Sequence, residues 1–340
     1  MTNASKAWIA APSGLRLTAD EKAFFADERP WGFIVFGRNI GEASQVRDLV
    51  AELKEAGGRA TTPVFVDQEG GRVQRLRPPL APAYPPAADL GRLHGRDPRL
   101  AERAAWLQGR LLALDLAGFG LNADCIPCLD VPVPGADSVI GDRAYGKDPQ
   151  VVAALGRAAA DGLMAGGLLP VMKHVPGHGR GNADSHLALP QVDAAREDLE
   201  RTDFPPFAAL AGLPAAMTAH VLYTAIDARR PATLSPIVIE EVIRGTIGFD
   251  GLLMTDDMSM KALQGDFYDL GRAALTAGCD ILLHCNGDMA EMRKIAHAAP
   301  PLGRETARRA AACEAVIGQG ERADEPALRA EFAGIVSRVA

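Results

Sequence analysis

Three of the chain's seven histidines lie within thirteen positions, in the glycine-rich segment KHVPGHGRGNADSH at residues 173–186. Asp184 precedes His186 by two residues, and in an extended chain the side chains at i and i+2 point the same way. A carboxylate in that position orients an imidazole ring and raises its basicity. The glycines keep the backbone mobile and open to a ligand. The segment therefore predicts a histidine that exchanges protons with a bound molecule.

The elements that must position this segment alternate between short apolar runs and stretches of helical periodicity. Several of the predicted helices end at Gly, where a C-cap needs positive φ. The predicted strands cover residues 7–11, 32–36, 63–66, 121–131, 169–173, 215–223, 251–254 and 280–284, and the predicted helices include residues 18–27, 42–57, 98–118, 149–166 and 270–278.

Eight strand and helix units of about 40 residues each predict an α/β fold, a parallel (β/α)8 barrel of the TIM type. We expect one domain over residues 1–340, with a closing pair of helices from about residue 300. A doubly wound open sheet is the competing architecture. The sequence has no GxGxxG after a first strand and no GxxxxGK that would support a nucleotide site.

The composition is that of an ordinary globular protein of 340 residues, 48% hydrophobic and 23% charged. Its formal net charge of −7 argues against a nucleic-acid binder, because neutralising phosphates requires a surplus of Lys and Arg. Residues 1–14 lack a basic region followed by a long apolar run, so we expect no export signal and a cytoplasmic location. Residues 204–226 carry no charged side chain, but three prolines interrupt them, which favours a helix, loop and strand over a membrane span.

Five cysteines, an odd number, favour reduced thiols over a disulfide framework. Cys125 and Cys128 form a CxxC inside a largely apolar run. Since zinc ribbons need a second such pair, we interpret these two as small core residues of a strand.

Polar residues follow the predicted strands at the end where a barrel carries its chemistry. Any one of them, such as Glu69 or Asp257, could equally be a capping or turn residue. Taken together they predict a single polar rim, formed by Asp67, Glu69, Arg72 and Arg75 after strand three, Lys173 and His174 after strand five, His220 after strand six, and Asp256 and Asp257 after strand seven.

The segments KHVPGHG-x4-DSH, VDQEGGRVQRL, VIGDRAYG and GFDGLLMTDDMSM together resemble the glycoside hydrolase family 3 β-N-acetylglucosaminidases of the NagZ type. The resemblance implies that Asp256 is the nucleophile and that His186, paired with Asp184, is the general acid/base. It further implies removal of terminal β-linked N-acetylglucosamine from 1,6-anhydro-muropeptides in cell-wall recycling, without cofactor or metal. By the same resemblance, the sugar in the −1 subsite contacts Asp67, Arg75, Arg143, Lys173 and His174.

The physical chemistry of glycoside cleavage agrees with those roles. A retaining enzyme needs a carboxylate about 5 Å from its acid group, to trap the anomeric carbon while the leaving oxygen is protonated. Asp256, at the end of a buried strand, is a rigid carboxylate, and an imidazole such as that of His186 exchanges protons near neutral pH. A neutral imidazole also tolerates phosphate as the second-step nucleophile, so phosphorolysis stays open beside hydrolysis.

Three other functions remain as alternatives. A broader family 3 β-glucosidase is the nearest, although such enzymes usually take their acid/base residue from a second domain. A metal-dependent hydrolase would use His174, His178, His186 and Asp184 as zinc or iron ligands. A protein that only binds sugar is the third. We also expect the loop over residues 177–184 to move and to bring His186 in once the sugar is bound.

Overall fold

A computed structural model describes residues 5–338, and in it eight parallel strands close into a barrel. Each strand pairs with its neighbours in chain order, and the first strand pairs with the last. The predicted fold class is therefore confirmed. The barrel strands are β1 (Lys6–Ala10), β2 (Pro30–Val35), β3 (Val64–Val66), β4 (Ala123–Asp124), β5 (Leu169–Val175), β6 (Ala215–Thr218), β7 (Leu252–Asp257) and β8 (Ile281–Leu283).

Two strands run further than predicted. β5 continues through Val175, which pairs with Thr218 of β6, and β7 continues through Asp257, which pairs with Leu283 of β8. Polar side chains at the ends of these strands suggested loops, but the backbone remains paired with its neighbours. Lys173, His174 and the Asp256–Asp257 pair therefore belong to the strands and do not follow them.

Two other strands are shorter than predicted. Of residues 121–131 only β4 is regular strand, because Pro127 has no N–H for the ladder, although the Leu129 N–H still donates to the Lys173 carbonyl at 2.7 Å. Residues 215–223 divide into β6 and a second segment, Leu222–Tyr223, which pairs with Gln191–Val192 outside the barrel. A short hairpin of Gln68–Gly70 and Val73–Gln74 follows β3.

Eleven α-helices surround the barrel within the described part of the chain, many of them started by a side-chain cap such as Asp148 on α5. Gly278 ends its helix with φ of 116°, as predicted, whereas α2 includes the predicted Gly57 and is capped by Gly58, with φ of 69°. Gly118 and Gly166 do not end their helices with positive φ, since their φ values are −60° and −85°. The helices are α1 (Ala19–Glu28), α2 (Ala43–Gly57), α3 (Ala87–His94), α4 (Pro98–Ala117), α5 (Pro149–Ala165), α6 (Arg196–Thr202), α7 (Pro205–Ala209), α8 (Phe267–Ala277), α9 (Met289–Ala298), α10 (Arg304–Glu314) and α11 (Glu325–Val336), with a π-type helix over Val238–Thr246 between α7 and α8.

The uncharged stretch at residues 204–226 contains α7, a loop and β6, as predicted. Within residues 5–338, no helix combines the length and the apolar character needed to cross a bilayer. Cys125 and Cys128 are buried beside β4, and all five cysteines are buried free thiols, so the CxxC residues are core residues as predicted, but they lie outside regular strand.

The amino end of the barrel is held by Asp280, a buried carboxylate directly before β8. It accepts a hydrogen bond from the Leu253 N–H at 3.0 Å and ion pairs from Arg244 at 2.9 Å and Arg309 at 3.0 Å. Because Arg309 lies on α10, this carboxylate joins the C-terminal helices to the strand that ends in the Asp256–Asp257 pair.

Candidate active site

A cleft of about 350 Å³ opens at the carboxyl ends of the strands. Its wall includes all eight residues that the resemblance implies as catalytic or sugar-binding, which are Asp67, Arg75, Arg143, Lys173, His174, Asp184, His186 and Asp256. The barrel thus brings together residues that lie up to 189 positions apart, from Asp67 to Asp256. The contacts of each side chain then determine how it is held and what it can do.

Two carboxylates and three cations form a continuous cluster at the cleft. Lys173 Nζ lies 2.9 Å from Asp67 Oδ1 and 2.7 Å from Glu69 Oε1, and Lys173 is almost fully buried. Arg75 donates to Asp67 at 3.0 Å, and Arg143 binds both oxygens of Glu69, at 2.8 and 3.0 Å. Each cation is fixed by a carboxylate, so the donors are preorganised before any ligand binds.

The cluster also sets the charge state of its members. Burial alone raises the pKa of Glu69, but Arg143 and Lys173 outweigh it and lower that pKa to about 2. Asp67 follows the same balance, because Lys173 and Arg75 overcome burial and leave its pKa well below its usual range. Burial lowers the pKa of Lys173, yet the two carboxylates raise it above its ordinary value. All three groups are therefore charged at neutral pH.

Glu69 was not among the predicted sugar-binding residues, yet it joins Lys173 to Arg143. The sequence placed it directly after β3, within the same segment as Asp67. In a single sequence, a glutamate that positions other side chains cannot be told from one that merely occupies a turn. The role of Glu69 therefore became visible only through its contacts with Lys173 and Arg143.

Asp130 is a residue that sequence reasoning missed. It is fully buried, and its Oδ2 lies 2.7 Å from His174 Nδ1, while its Oδ1 accepts the His178 N–H at 2.6 Å. Burial raises the pKa of Asp130, but His174 and its hydrogen bond outweigh burial and lower it. An ionised carboxylate only accepts, so Nδ1 of His174 carries a hydrogen and Nε2 is the free nitrogen. The available signal was an aspartate near the end of the apolar run 121–131, where a charged side chain needs a buried partner.

Asp256 lies near the end of β7 and is 6% exposed. Its Oδ1 accepts the N–H of Asp257 at 2.7 Å. Burial raises the pKa of Asp256, but the His174 and His220 rings and that hydrogen bond outweigh it, so the net pKa lies below its usual value. Asp256 is thus an ionised carboxylate that paired backbone holds at the cleft.

Asp257 and His220 support the end of β7. The carboxylate of Asp257 accepts from Ser259 N at 3.0 Å, Ser259 Oγ at 2.7 Å and Cys285 N at 3.0 Å. His220 is fully buried between Thr233 Oγ1 at 2.7 Å and the Asp257 carbonyl at 3.0 Å, and it is not part of the cleft wall. Burial lowers the pKa of His220. The prediction that His220 belongs to the polar rim is therefore wrong, since its ring is buried against the backbone of that rim.

His186 and Asp184 form a hydrogen-bonded pair on the loop that borders the cleft. His186 Nδ1 lies 2.7 Å from Asp184 Oδ1, and the same oxygen accepts the His186 N–H at 2.9 Å. Burial raises the pKa of Asp184, but its hydrogen bonds from His186 lower it overall. We expected this pairing in an extended segment of the chain. The structure instead has a turn, in which the Leu187 N–H donates to the Asp184 carbonyl. The side chain bonds to the backbone two residues on, as aspartates do in turns.

The loop that carries this pair has a fixed first half. The Tyr223 hydroxyl donates to the Gly177 carbonyl at 2.6 Å, and Val133 N–H donates to the Gly179 carbonyl at 3.3 Å. Residues 177–179 and 181 are buried, whereas 186–188 are exposed. The movement expected for residues 177–184 stays a prediction, and these contacts make residues 182–188 the part with the fewest anchors.

The four residues considered as zinc or iron ligands do not form one group. Within residues 5–338, the group of three or more His, Cys and carboxylate side chains whose ligand atoms all lie within 4.8 Å of one another is Cys128, Asp130 and His174. Those three are buried and already bonded to one another, since Cys128 Sγ lies 3.3 Å from Asp130. His186 is paired with Asp184 on the exposed turn.

Comparisons with known proteins agree with this architecture. Residues 7–316 match the model of the glycosyl hydrolase family 3 N terminal domain. The chain is 40% identical over 277 residues to a beta-hexosaminidase of Methylococcus capsulatus, covering 80% of each protein, and 40% identical over 292 residues to one of Alkalilimnicola ehrlichii, covering 85% of this chain and 83% of that protein. The crystal structure of NagZ from Neisseria gonorrhoeae in complex with N-trifluoroacetyl-D-glucosamine aligns with a TM-score of 0.88 at 32% identity, covering 98% and 99% of the two chains.

Proposed function

This chain belongs to glycoside hydrolase family 3 and is a hydrolase of the beta-hexosaminidase type, and from that premise we propose that it is a retaining exo-β-N-acetylglucosaminidase. One observation carries the proposal. The wall of a single cleft contains both buried Asp256 and His186, which is hydrogen-bonded to Asp184 on a loop. The three cations of the cluster and Asp67 lie in the same wall and supply the donors and acceptors that a sugar needs.

In the proposed first step, Asp256 attacks the anomeric carbon while His186 protonates the departing glycosidic oxygen. The bond from the anomeric carbon to that oxygen breaks, and a covalent glycosyl–enzyme ester forms on Asp256. His186 then removes a proton from water, the water oxygen bonds to the anomeric carbon, and Asp256 leaves as a carboxylate. The product keeps its β configuration.

Asp184 contributes to this cycle by fixing the tautomer of His186. Because Asp184 accepts the Nδ1 hydrogen, Nε2 of His186 is the nitrogen that gains and loses the catalytic proton. The carboxylate also stabilises the imidazolium that exists before the first step and again after the second. The arrangement lets a histidine act where most glycosidases use a second carboxylic acid.

The sugar-binding roles of Asp67, Arg75, Arg143, Lys173 and His174 rest on the same cleft. Hydroxyl groups both donate and accept, so a rim of fixed cations and carboxylates can bind several of them at once. Here Lys173 and Arg143 are held by Glu69, and His174 is held by Asp130.

We further propose that the natural substrate is a β-1,4-linked N-acetylglucosamine at the non-reducing end of anhydro-muropeptides, acted on in the cytoplasm during peptidoglycan recycling. The NagZ-type motifs support this substrate. The N-trifluoroacetyl-D-glucosamine bound by the Neisseria gonorrhoeae protein supports a 2-acylamino sugar as the ligand class.

The test compares turnover of nitrophenyl β-N-acetylglucosaminide with that of nitrophenyl β-glucoside. We expect the acetamido substrate to be strongly preferred, to release N-acetylglucosamine without sugar phosphate in phosphate buffer, and to be turned over equally well with chelators present. Preference for the glucoside would favour the broader β-glucosidase, and sugar 1-phosphate would favour phosphorolysis.

The nucleophile is tested separately. Asp256→Ala should lower kcat by at least about a thousandfold, since a covalent step is lost, and a mechanism-based fluoro-sugar should label Asp256 in the wild type. Labelling of Asp257 would overturn the assignment within the pair.

A further inference from the structure

His178 lines the cleft, but the mechanism above gives it no part. The residue is 3% exposed, and neither ring nitrogen has a hydrogen-bond partner among the protein atoms of residues 5–338. Nearly all buried polar side-chain atoms in folded proteins are paired, because an unpaired one costs folding free energy. A buried imidazole with two unused nitrogens at a ligand cleft therefore needs an explanation.

The ring is nevertheless held in one place. The His178 backbone N–H donates to the buried Asp130 carboxylate at 2.6 Å, and the ring lies at 5.8 Å from the His174 ring, nearly edge to face. A Cβ atom at Gly181 would lie 3.0 Å from both Nδ1 and Cε1 of His178, so glycine at that position lets the loop pack closely on the ring. The backbone hydrogen bond and the packing therefore hold the imidazole of His178 in place, without any hydrogen bond from its ring nitrogens.

The charge state of His178 suits a hydrogen bond to a neutral group. Burial and, secondarily, the neighbouring His174 lower the pKa of His178. A neutral imidazole presents one donor and one acceptor. His178 lines the same cleft as Asp256, the proposed nucleophile, and as Asp184 and His186, the proposed acid/base pair.

We propose that His178 is a further substrate-contacting residue, whose ring hydrogen-bonds to a hydroxyl or amide group of the sugar bound beside Asp256. The inference rests on the proposed function and adds a sixth side chain to the five proposed sugar contacts. Because Gly181 packs against Nδ1, Nε2 is the nitrogen left for the sugar, and a hydroxyl can donate to it or accept from it. A histidine that only filled the core would pair its nitrogens with protein atoms, as His220 does.

The experiment replaces His178 with Phe, which keeps a planar ring of similar size but cannot hydrogen-bond. We expect kcat/KM for nitrophenyl β-N-acetylglucosaminide to fall about tenfold and the Kd of N-acetylglucosamine, measured by calorimetry, to rise about three- to tenfold, as the loss of one neutral hydrogen bond implies. The melting temperature of the free protein should stay the same or rise, because no protein hydrogen bond is lost. His178→Gln, which restores a donor and an acceptor, should recover part of the affinity.

The matched control is His297→Phe, the same exchange at an exposed position on α9, which should change neither kinetic constant nor affinity. Monodeoxy analogues of N-acetylglucosamine then identify the partner. One of them should bind the wild type and H178F with equal affinity.

Three results would overturn the inference: unchanged kcat/KM and affinity in H178F, an equal loss of affinity for every analogue, or a lower melting temperature with normal binding. If H178F does not fold, H178Q with the analogue series decides the same question. Failure of the proposed function is distinguishable, because it would appear in the wild type as no turnover of the acetamido substrate.

Discussion

Glu69 shows how one side chain can position two others that come from distant parts of the chain. It pairs with Lys173 at 2.7 Å and with Arg143 at 2.8 Å, and all three are largely buried. Removing one partner of a buried ion pair leaves the other charges uncompensated, which is more costly than never having the pair. Glu69 is therefore a positioning residue for the proposed sugar contacts.

We expect Glu69→Gln to raise KM for the nitrophenyl substrate more than it lowers kcat, since it displaces binding groups and leaves Asp256 intact. The free energy of unfolding should fall by about 3 kcal/mol. Steady-state kinetics and urea unfolding measure the two effects. Glu331→Gln is the matched control, because its partner Arg103 is on the surface, where such pairs contribute about 1 kcal/mol or less. A Glu69→Gln enzyme with normal KM would contradict the positioning role.

The motifs in the sequence predicted which side chains come together. All eight residues implied by the resemblance line one cleft. Glu69 was predicted on the polar rim without a role, and Asp130 was missed, because a single sequence does not reveal which acidic side chain has a buried partner. The Asp184–His186 pair was predicted, but from the geometry of an extended chain. The two side chains meet in the turn as well, because a turn and a strand both bring the side chains at i and i+2 within reach of each other.

At the scale of elements, the strand boundaries determine how rigid the site is. β5 and β7 extend through His174 and Asp256, so these side chains are held by paired backbone. Periodicity located the strands but placed their ends too early, because it counts polar residues as loop. It placed the end of the β4 run too late, because a buried irregular segment is as apolar as a strand.

Gly179 provides a test of the loop's fixed half. A Cβ atom there would lie 2.1 Å from the Val131 carbonyl oxygen, a backbone atom that cannot turn aside. We expect Gly179→Ala to shift the loop that carries His178 and His186 and to lower kcat/KM at least about tenfold. In the control Gly212→Ala, the added Cβ meets nothing within 4 Å, and activity should be unchanged. Equal activity of the two variants would show that the loop does not depend on this contact.

At the scale of the whole molecule, the two ends of the barrel carry different features. The carboxyl end carries the cleft, and the amino end carries Asp280 with Arg244 and Arg309. Chemistry at one end and stability at the other is the usual division for this architecture.

Asp280→Ala should therefore lower the free energy of unfolding by about 3 kcal/mol, since it leaves two arginines and the Leu253 N–H without their acceptor. At a temperature where the variant is folded, KM and kcat should match the wild type. Urea unfolding and kinetics on the same preparation measure both. A marked change in kcat would instead mean that β7 transmits the loss to Asp256.

The stability of the protein should fall as the solution becomes acidic, in two stages. The folded pKa values of His178 and His220 are lowered, so below about pH 6.5 the unfolded chain binds more protons and unfolding is favoured. The folded pKa values of Asp67, Glu69 and Asp130 are also lowered. Their stabilisation is complete above the unfolded pKa near 4 and is lost as pH falls toward about 2, the folded pKa of Glu69.

Urea midpoints at about pH 7.5, 6, 5, 4 and 3 would trace both stages, as set by the reference values. In Glu69→Gln the decline below about pH 4 should be shallower, because one of the shifted carboxylates is gone. A midpoint that rises between about pH 6.5 and 5 would contradict the direction inferred for the histidines.

The barrel itself was predictable from the alternation of apolar runs and helical stretches, because eight such units leave few other ways to bury both faces of a parallel sheet. The irregular passage after β4 and the π-type helix were not, since neither has a period of its own in the sequence.

Because Asp184 and His186 share one turn, the outward swing predicted for that turn would carry the proposed acid/base and its orienting carboxylate away as a unit. The ring would then reach the substrate already in its working tautomer, and closure would need no rearrangement of protons. Inhibitors should then divide into two kinetic classes. Those that touch only the strand-borne residues dissociate at a rate set by their own contacts, whereas those that bond to the imidazole depart no faster than the turn opens.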